Sequence, residues 1–189
     1  MVRSIYPLFA FALAASAPAL AAEAIPTPHF RSVRLIGGGD VEIVPGPVQR
    51  VTLINGSTEL THFQVRRYDQ LEISTSCYAR CPQHYNLRIR IESPTVPDVS
   101  VHAGGTIVAS RGFAPQQEVA AAISAGGTID LRAVAGDTVS AAVNAGGDIF
   151  VHPRVALNAA VTAGGDIHYI GDPQVSSAIT AGGDVRRDY

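Results

Sequence analysis

Three aspartates at matching positions of a repeated segment are the most suggestive candidates for chemistry in this sequence. Asp148, Asp166 and Asp184 each follow an Ala-Gly-Gly motif, and 18 residues separate each from the next. In register on neighbouring strands, their carboxylates would stack about 4.8 Å apart, where like charges repel. They could stay solvated, accept hydrogen bonds from the amides of the glycine bends, or bind calcium. Calcium is the weakest of these readings, because three aspartates fill few of its roughly 6–8 oxygen positions.

The two cysteines are the next candidates. Cys77 and Cys81 are the only cysteines and lie between two strand-like segments. In an exported chain this favours one disulfide closing a small loop. A redox site would more typically show C-x-x-C at the start of a helix, and a zinc site would need two further ligands, which His84 alone does not supply.

No motif of a known catalytic or cofactor site occurs in the sequence. The six histidines are scattered, no H-E-x-x-H or G-x-S-x-G pattern is present, and no Gly-Lys-Ser/Thr follows the glycines. We therefore predict no catalytic residue and no cofactor. The alternative is a polysaccharide-active enzyme, a lyase or hydrolase, in which Asp166, Asp184 and Arg186 approach one another. Its sugar-stacking platforms would have to come from Tyr169, Phe150 or Phe113.

The first residues of the chain predict export. Arg3 precedes a short apolar run, and Ala19-Leu20-Ala21 fits a signal-peptidase site. The sequence thus predicts a signal peptide over 1–21, a linker over 22–29 and a single domain over 30–189, with no membrane span in the mature chain.

The charge of the chain argues against nucleic acid as a partner. The formal net charge is −2 and lysine is absent, so no basic surface is expected.

The elements that must position the aspartates come from an internal repeat. Ala-Gly-Gly starts at residues 103, 125, 145, 163 and 181. Around each copy, aliphatic residues occupy alternate positions, such as Val143, Val161 and Ile179 two residues before the alanine. A period of two indicates strands, and a repeat of about 20 residues indicates stacked coils. We therefore predict an all-β fold, a parallel β-solenoid resembling a single-stranded β-helix, with right-handed crossovers.

The paired glycines of the repeat are predicted to be structural bends. Glycine adopts backbone angles that side chains forbid, and a side chain at a stacked bend would collide with its neighbours. The residues concerned are Gly104, Gly105, Gly126, Gly127, Gly146, Gly147, Gly164, Gly165, Gly182 and Gly183.

The order of these segments resembles a bacterial family, the putative auto-transporter adhesin, head GIN domain family (domain of unknown function 2807). The resemblance runs from about Phe30 to Tyr189. It rests on "FRSVRLIGGGDVEIVPG", on "YDQLEIS", on "LRIRIESPTVPDVSVHAGGTI" and on the closing "YIGDPQVSSAITAGGDVRR". Gln70 replaces a usual turn glycine, and the Cys77–Cys81 loop is not general to the family. The resemblance implies an exported β-solenoid without established catalysis.

Together these features predict a function class but no ligand. We expect an exported, non-catalytic module of structural or adhesin-like role, in the periplasm or at the cell surface. Its expected partner is an envelope component or a surface glycan of unknown identity. The polysaccharide-active enzyme is the alternative, and turnover of envelope glycans would distinguish it from a binding module.

Overall fold

The structure, a computed structural model, describes residues 22–76 and 85–189 and is all-β over that range. The signal peptide predicted for 1–21 and the disulfide predicted for Cys77 and Cys81 lie outside the described residues. No helix long and apolar enough to cross a membrane occurs in the part that is described.

The strands are β1 (Glu23–Ile25), β2 (Ser32–Ile36), β3 (Asp40–Pro45), β4 (Arg50–Asn55), β5 (Thr61–Arg66), β6 (Gln70–Thr75), β7 (Arg88–Ser93), β8 (Asp98–His102), β9 (Thr106–Ala109), β10 (Gln116–Ala125), β11 (Thr128–Ala145), β12 (Asp148–Ala163), β13 (Asp166–Tyr169), β14 (Gln174–Ala181) and β15 (Asp184–Arg187).

Strands of successive repeats pair in parallel and in register. One ladder joins β8, β10, β11, β12 and β14, and a second joins β9, β11, β12, β13 and β15. Val143 pairs with Val161, which pairs with Ile179, so equivalent positions of the repeat lie one above the other. The long strands β11 and β12 each turn between the two ladders through shifts in register.

The N-terminal part of the sheet is of mixed orientation, so the sheet is not parallel throughout. β2, β3, β6 and β7 join the parallel ladders, but β1–β4, β4–β7 and β5–β6 are antiparallel. The hairpin β5–β6 is antiparallel because its turn is short, with Tyr68 and Asp69 at φ 65° and 54°. β1 pairs with β4, so residues 23–25 of the expected linker belong to the sheet.

The core is the aliphatic row that runs through the coils. Val101, Ile123, Val143 and Val161 are at most 2% exposed. They alternate with outward residues, as a strand with one buried face requires. In the last copy, Ile179 occupies the same position but is 46% exposed. The row is therefore buried wherever a coil has a neighbour on both sides.

The two glycines of each bend have different surroundings. Gly164 has φ +76° and open space where a Cβ would lie, whereas a Cβ on Gly165, at φ +93°, would lie 2.6 Å from the Gly147 carbonyl oxygen. The close approach arises because successive bends share hydrogen bonds: the amide of Asp166 donates to the Gly147 carbonyl at 3.0 Å. The second glycine thus lacks both space and a normal backbone angle for a side chain, and the first lacks only the angle.

Candidate functional site

The outward side of the first ladder is a surface of small, uncharged residues, which we call the alanine–serine face. It lies on β8, β10, β14 and the C-terminal halves of β11 and β12. The residues at these positions point away from the buried valines and isoleucines, because side chains alternate along a strand. Two rows run across the coils in register, and they are Ala120, Ser140, Asn158 and Ser176, and Ser100, Ala122, Ala142, Ala160 and Ala178.

A groove of about 640 Å³ runs along the alanine–serine face. Its floor is made of alanine methyl groups, and the serine hydroxyls and the Asn158 amide lie beside them. Such a floor offers apolar contact and hydrogen bonds at a repeat of about 4.8 Å, the spacing between strands. The face could therefore accept an extended, uncharged ligand along its length.

Asp98, at the N-terminal end of the groove, is the one ionisable group among its lining residues. Burial raises the pKa of Asp98, and the negative charge of Glu118 raises it further, while a hydrogen bond from the Ala120 amide acts in the opposite direction. The carboxylate is therefore poorly placed to hold its charge. The rest of the groove is neutral.

The outward side of the second ladder carries the aspartates. The structure places Asp148, Asp166 and Asp184 side by side on β12, β13 and β15. It also brings in a residue that the sequence analysis missed: potential ligand atoms of Asp148, Asp166 and His168 all lie within 4.8 Å of one another. Asp184 continues the row but is not part of this cluster.

His168 is held by protein contacts on both sides of its ring. The side chain is buried, its Nδ1 lies 3.0 Å from Asp188 Oδ1, and Nη2 of Arg186 lies 3.3 Å from its Nε2. Its ring stacks on Phe150 with centroids 4.5 Å apart. A metal ion bound to His168 would have to displace Arg186 or Asp188. These contacts give His168 a structural role between neighbouring coils.

Arg186 and the three aromatic residues of the enzymatic alternative are occupied in other contacts. Arg186 bonds to His168, and no ion pair joins it to Asp166 or Asp184 among the residues described. Phe150 is contacted by His168 from the next coil, and the Arg132 guanidinium lies 4.7 Å from its ring centroid. Tyr169 and Phe113 are partly buried against the core. None of the three aromatic rings stands out as an open sugar platform.

A close ion pair lies next to Phe150. Arg132 donates from Nε and Nη2 to the two oxygens of Asp130, at 3.0 Å and 2.5 Å. Partial burial on its own would raise the pKa of Asp130, but the hydrogen bonds from the side chain and amide of Arg132, together with its charge, lower it overall. The pair fixes the arginine that covers Phe150.

The repeat segment can now be compared with known proteins. Residues 98–173 match the family model described as putative auto-transporter adhesin, head GIN domain. Over this segment the chain is similar to the head GIN domain family. The resemblance inferred from the sequence is confirmed there, and the match includes most of the alanine–serine face. No curated protein matches the chain.

Solved structures similar to the chain include several adhesin-like proteins at low identity. A putative adhesin from Bacteroides fragilis is 16% identical, with 89% of this chain and 96% of that chain covered and a TM-score of 0.49. A putative cell adhesion protein from Clostridium sporogenes is 9% identical, with 89% and 98% covered and a TM-score of 0.39. A putative lipid binding protein from Parabacteroides distasonis is 14% identical, with 89% and 96% covered and a TM-score of 0.36.

Proposed function

We propose that this protein is an exported, non-catalytic β-solenoid module with an adhesin-like or structural role at the cell envelope. The alanine–serine face is its contact surface. The observation that carries the proposal is the neutral groove of about 640 Å³ that crosses the coils. The export signal read from residues 1–21 and the head GIN match over residues 98–173 support it.

The chemistry of the face favours a neutral glycan chain over a charged polymer. The hydroxyls of Ser140 and Ser176 and the amide of Asn158 can exchange hydrogen bonds with sugar hydroxyls, and the alanine methyls can contact the apolar faces of sugar rings. A charged ligand would find no counter-charge along most of the groove, and burying an unpaired charge is costly. A repeating ligand also matches a repeating surface, so many weak contacts can add together.

The proposal is tested by retention of the mature chain on isolated envelope polysaccharide. The informative variant is Ala160→Glu, which places a charge on the floor of the groove at an exposed position. The matched control is Val155→Glu. Val155 lies on the same strand, β12, is 59% exposed and is outside the groove. We expect Ala160→Glu to lose retention and Val155→Glu to keep it.

Two outcomes would contradict the proposal. Equal retention of both variants would remove the alanine–serine face as the contact surface. Release of reducing sugars from the polysaccharide, lost on Asp166→Asn, would favour the polysaccharide-active enzyme instead. Crosslinking in the native envelope, followed by identification of the bound component, would name the partner.

A further inference from the structure

The turn between β5 and β6 holds a large residue in a backbone conformation that suits glycine. Tyr68 and Asp69 have φ of 65° and 54°, in the left-handed region. Short hairpin turns usually place glycine, asparagine or aspartate at such positions, and a bulky side chain there is an outlier. Asp69 is one of the expected residue types, whereas Tyr68 is not. The strain at Tyr68 therefore needs an explanation.

Packing does not supply that explanation. Tyr68 is 94% exposed, so its ring adds nothing to the core. Tyr85 shows what a structural tyrosine looks like in this fold, because its hydroxyl lies 2.7 Å from Thr61 Oγ1 and accepts a hydrogen bond from the Ser57 amide at 2.8 Å. Strained residues that no packing compensates are typical of functional sites. The strain at Tyr68 points to a contact outside the protein.

Two arginines lie next to Tyr68 in the chain. Arg66 and Arg67 line a shallow cavity of about 460 Å³ together with Gln64 and Gln70. Arg66 donates from Nη2 to Glu72 Oε1 at 2.6 Å, which uses one of the five N–H donors of its guanidinium. Arg67 forms no ion pair among the residues that the structure describes. The cavity thus carries one positive charge that no neighbouring carboxylate neutralises.

This cavity continues the groove of the alanine–serine face. Arg66 lies opposite Gln70 across the hairpin, and Gln70 lies beside Ser32 on the neighbouring strand β2. Residues paired in this way point to the same side of the sheet. Ser32 and Gln70 line the groove, and Gln70 lines the cavity as well. A ligand chain that lies along the groove therefore reaches the two arginines at its end.

We propose that the hairpin tip, made of Gln64, Arg66, Arg67, Tyr68 and Gln70, binds a sugar residue that carries one carboxylate, as a uronic acid does. The ring of Tyr68 contacts the apolar face of the sugar, and the glutamine amides bond to its hydroxyls. Arg67 pairs with the carboxylate through parallel N–H bonds. One unneutralised arginine matches the single charge of a carboxylate better than the charge of about −1.5 to −2 on a phosphate.

The inference rests on the proposed function only in taking the ligand to be a glycan. It adds an acidic sugar residue at the hairpin tip to the neutral chain in the groove. The two sites can be tested separately, because a short probe occupies the tip alone. Ala160→Glu, which should abolish retention on the polysaccharide, should bind such a probe as the parent does. Binding of the probe without any retention on polysaccharide would count against the proposed function and not against the hairpin tip.

The probe is a disaccharide of glucuronic acid and N-acetylglucosamine, titrated into the mature chain and followed by NMR. We expect amide shifts centred on residues 64–70. The methyl ester of the same disaccharide keeps its shape and loses its charge. It should bind at least about tenfold more weakly, because a charge-assisted hydrogen bond is lost. High salt should weaken binding of the acid and leave that of the ester unchanged.

Two variants separate binding from folding. Arg67→Gln should raise the dissociation constant of the disaccharide about tenfold. The matched control, Arg154→Gln, changes an exposed arginine on β12 outside both cavities and should leave it unchanged. Tyr68→Gly should weaken binding and raise the melting temperature, because glycine adopts a positive φ without strain. A residue that served the fold would show a lower melting temperature instead.

Four outcomes would overturn the inference. One is the absence of shifts at residues 64–70 with the disaccharide, and another is equal affinity for the acid and its methyl ester. Tighter binding of glucose 1-phosphate than of the disaccharide would make the hairpin tip a phosphate site. Binding to phosphatidylglycerol vesicles that is lost in Tyr68→Gly, with no binding of the disaccharide, would make it a lipid-contacting site.

Discussion

Two neighbouring coils of the molecule have nearly the same sequence and very different environments. The segment "VTAGGDI" in the interior coil begins at Val161, and "ITAGGDV" in the terminal coil begins at Ile179. Val161 is 1% exposed and Ile179 is 46% exposed, although the two pair directly. The comparison teaches that the motif fixes the path of the chain, while the neighbouring coils decide how much apolar surface is buried.

The two ends of the stack differ in the same sense. At the N-terminal end, antiparallel strands β4 and β5 pair onto the parallel strands, and Leu53 and Val51 on β4 are buried. At the C-terminal end the apolar row of β14 is exposed. Because β12 has a paired strand on each side and β14 has one only on the side of β12 among the residues described, equivalent substitutions on the two strands should have unequal effects.

The largest expected effect is a charge in the interior row. Val161→Asp should lower the free energy of unfolding by at least about 3 kcal/mol, because it buries an unpaired carboxylate. Ile179→Asp should cost far less, since half-exposed Ile179 leaves the new charge in contact with water. Chemical denaturation of the two purified variants measures the difference.

Thr162→Asp is the control for the assignment of Val161 as inward-facing and Thr162 as outward-facing. Thr162 is exposed, so this variant should unfold with nearly the wild-type midpoint. A tolerated Val161→Asp together with an unfolded Thr162→Asp would mean that the assigned faces are exchanged. Equal losses at residues 161 and 179 would break the comparison between the two coils.

The next largest effect is expected at the bends. Gly165→Ala should cost about 2–3 kcal/mol, since it adds backbone strain and a Cβ 2.6 Å from both the Gly147 oxygen and Val143 Cγ1. Gly164→Ala, with open space at φ +76°, should cost only the strain, about 1 kcal/mol. Gly165→Val should likewise be far more destabilising than Thr162→Val.

Thermal melting of the matched bend variants tests the assignment. Equal melting temperatures for Gly164→Ala and Gly165→Ala would show that the carbonyl of the preceding bend can move away. A third variant, Gly183→Ala, meets the same kind of contact from Gly165 and Val161 in the terminal coil. We expect it to cost less than Gly165→Ala, because a terminal coil can detach locally without opening the stack.

The repeats were predictable from the sequence because their pattern is local and repeated. The period of two gave the inward residues, and the spacing of 18 placed Asp148, Asp166 and Asp184 in register, as the structure shows. The position of His168 could have been found in the same way, since it lies two residues after Asp166 on the same side of the strand. The contribution of the small even-numbered residues to a groove was also present in the pattern, but small residues alone do not indicate a concave surface.

The N-terminal half was less predictable because its pairing is not repeated. β4 pairs with β7 and β5 with β6 in antiparallel fashion, and alternation along a strand does not specify the direction of its partner. The contacts of His168 with Arg186 and Asp188 also depend on rotamers rather than on spacing. The predicted handedness, the signal peptide and the disulfide stay predictions.

A smaller effect is expected from the ion pair in the interior coil. The pKa of Asp130 is lowered in the folded protein through Arg132, so the pair stabilises the fold above the unfolded pKa of the carboxyl. That contribution is lost as the pH falls through the lowered folded pKa. Arg132→Leu should therefore flatten the acid limb of the stability curve, and Arg187→Leu, in the terminal coil, should change it less. Identical acid limbs for the two variants and wild type would show that Arg132 does not set the Asp130 titration.

The smallest effect concerns the aspartate row. The aspartates of the interior and terminal coils differ in the number of carboxylates beside them. Asp166 has a carboxylate on each side, from Asp148 and Asp184, whereas Asp184 has one only on the side of Asp166 among the residues described. If the row is free of cations, repulsion opposes folding, at about 0.2–1 kcal/mol for each like-charged pair. Asp166→Asn removes two repulsive pairs and should raise the melting temperature more than Asp184→Asn, which removes one. Added calcium should change the stability of neither variant nor the parent, and high salt should reduce the gain by screening the charges.

If instead the row binds calcium, the parent should gain stability with added calcium in proportion to the logarithm of its excess over the dissociation constant, and Asp166→Asn should lose that response. A calcium-dependent rise in melting temperature that disappears in Asp166→Asn would therefore reverse the sign of this prediction and make the row a binding site.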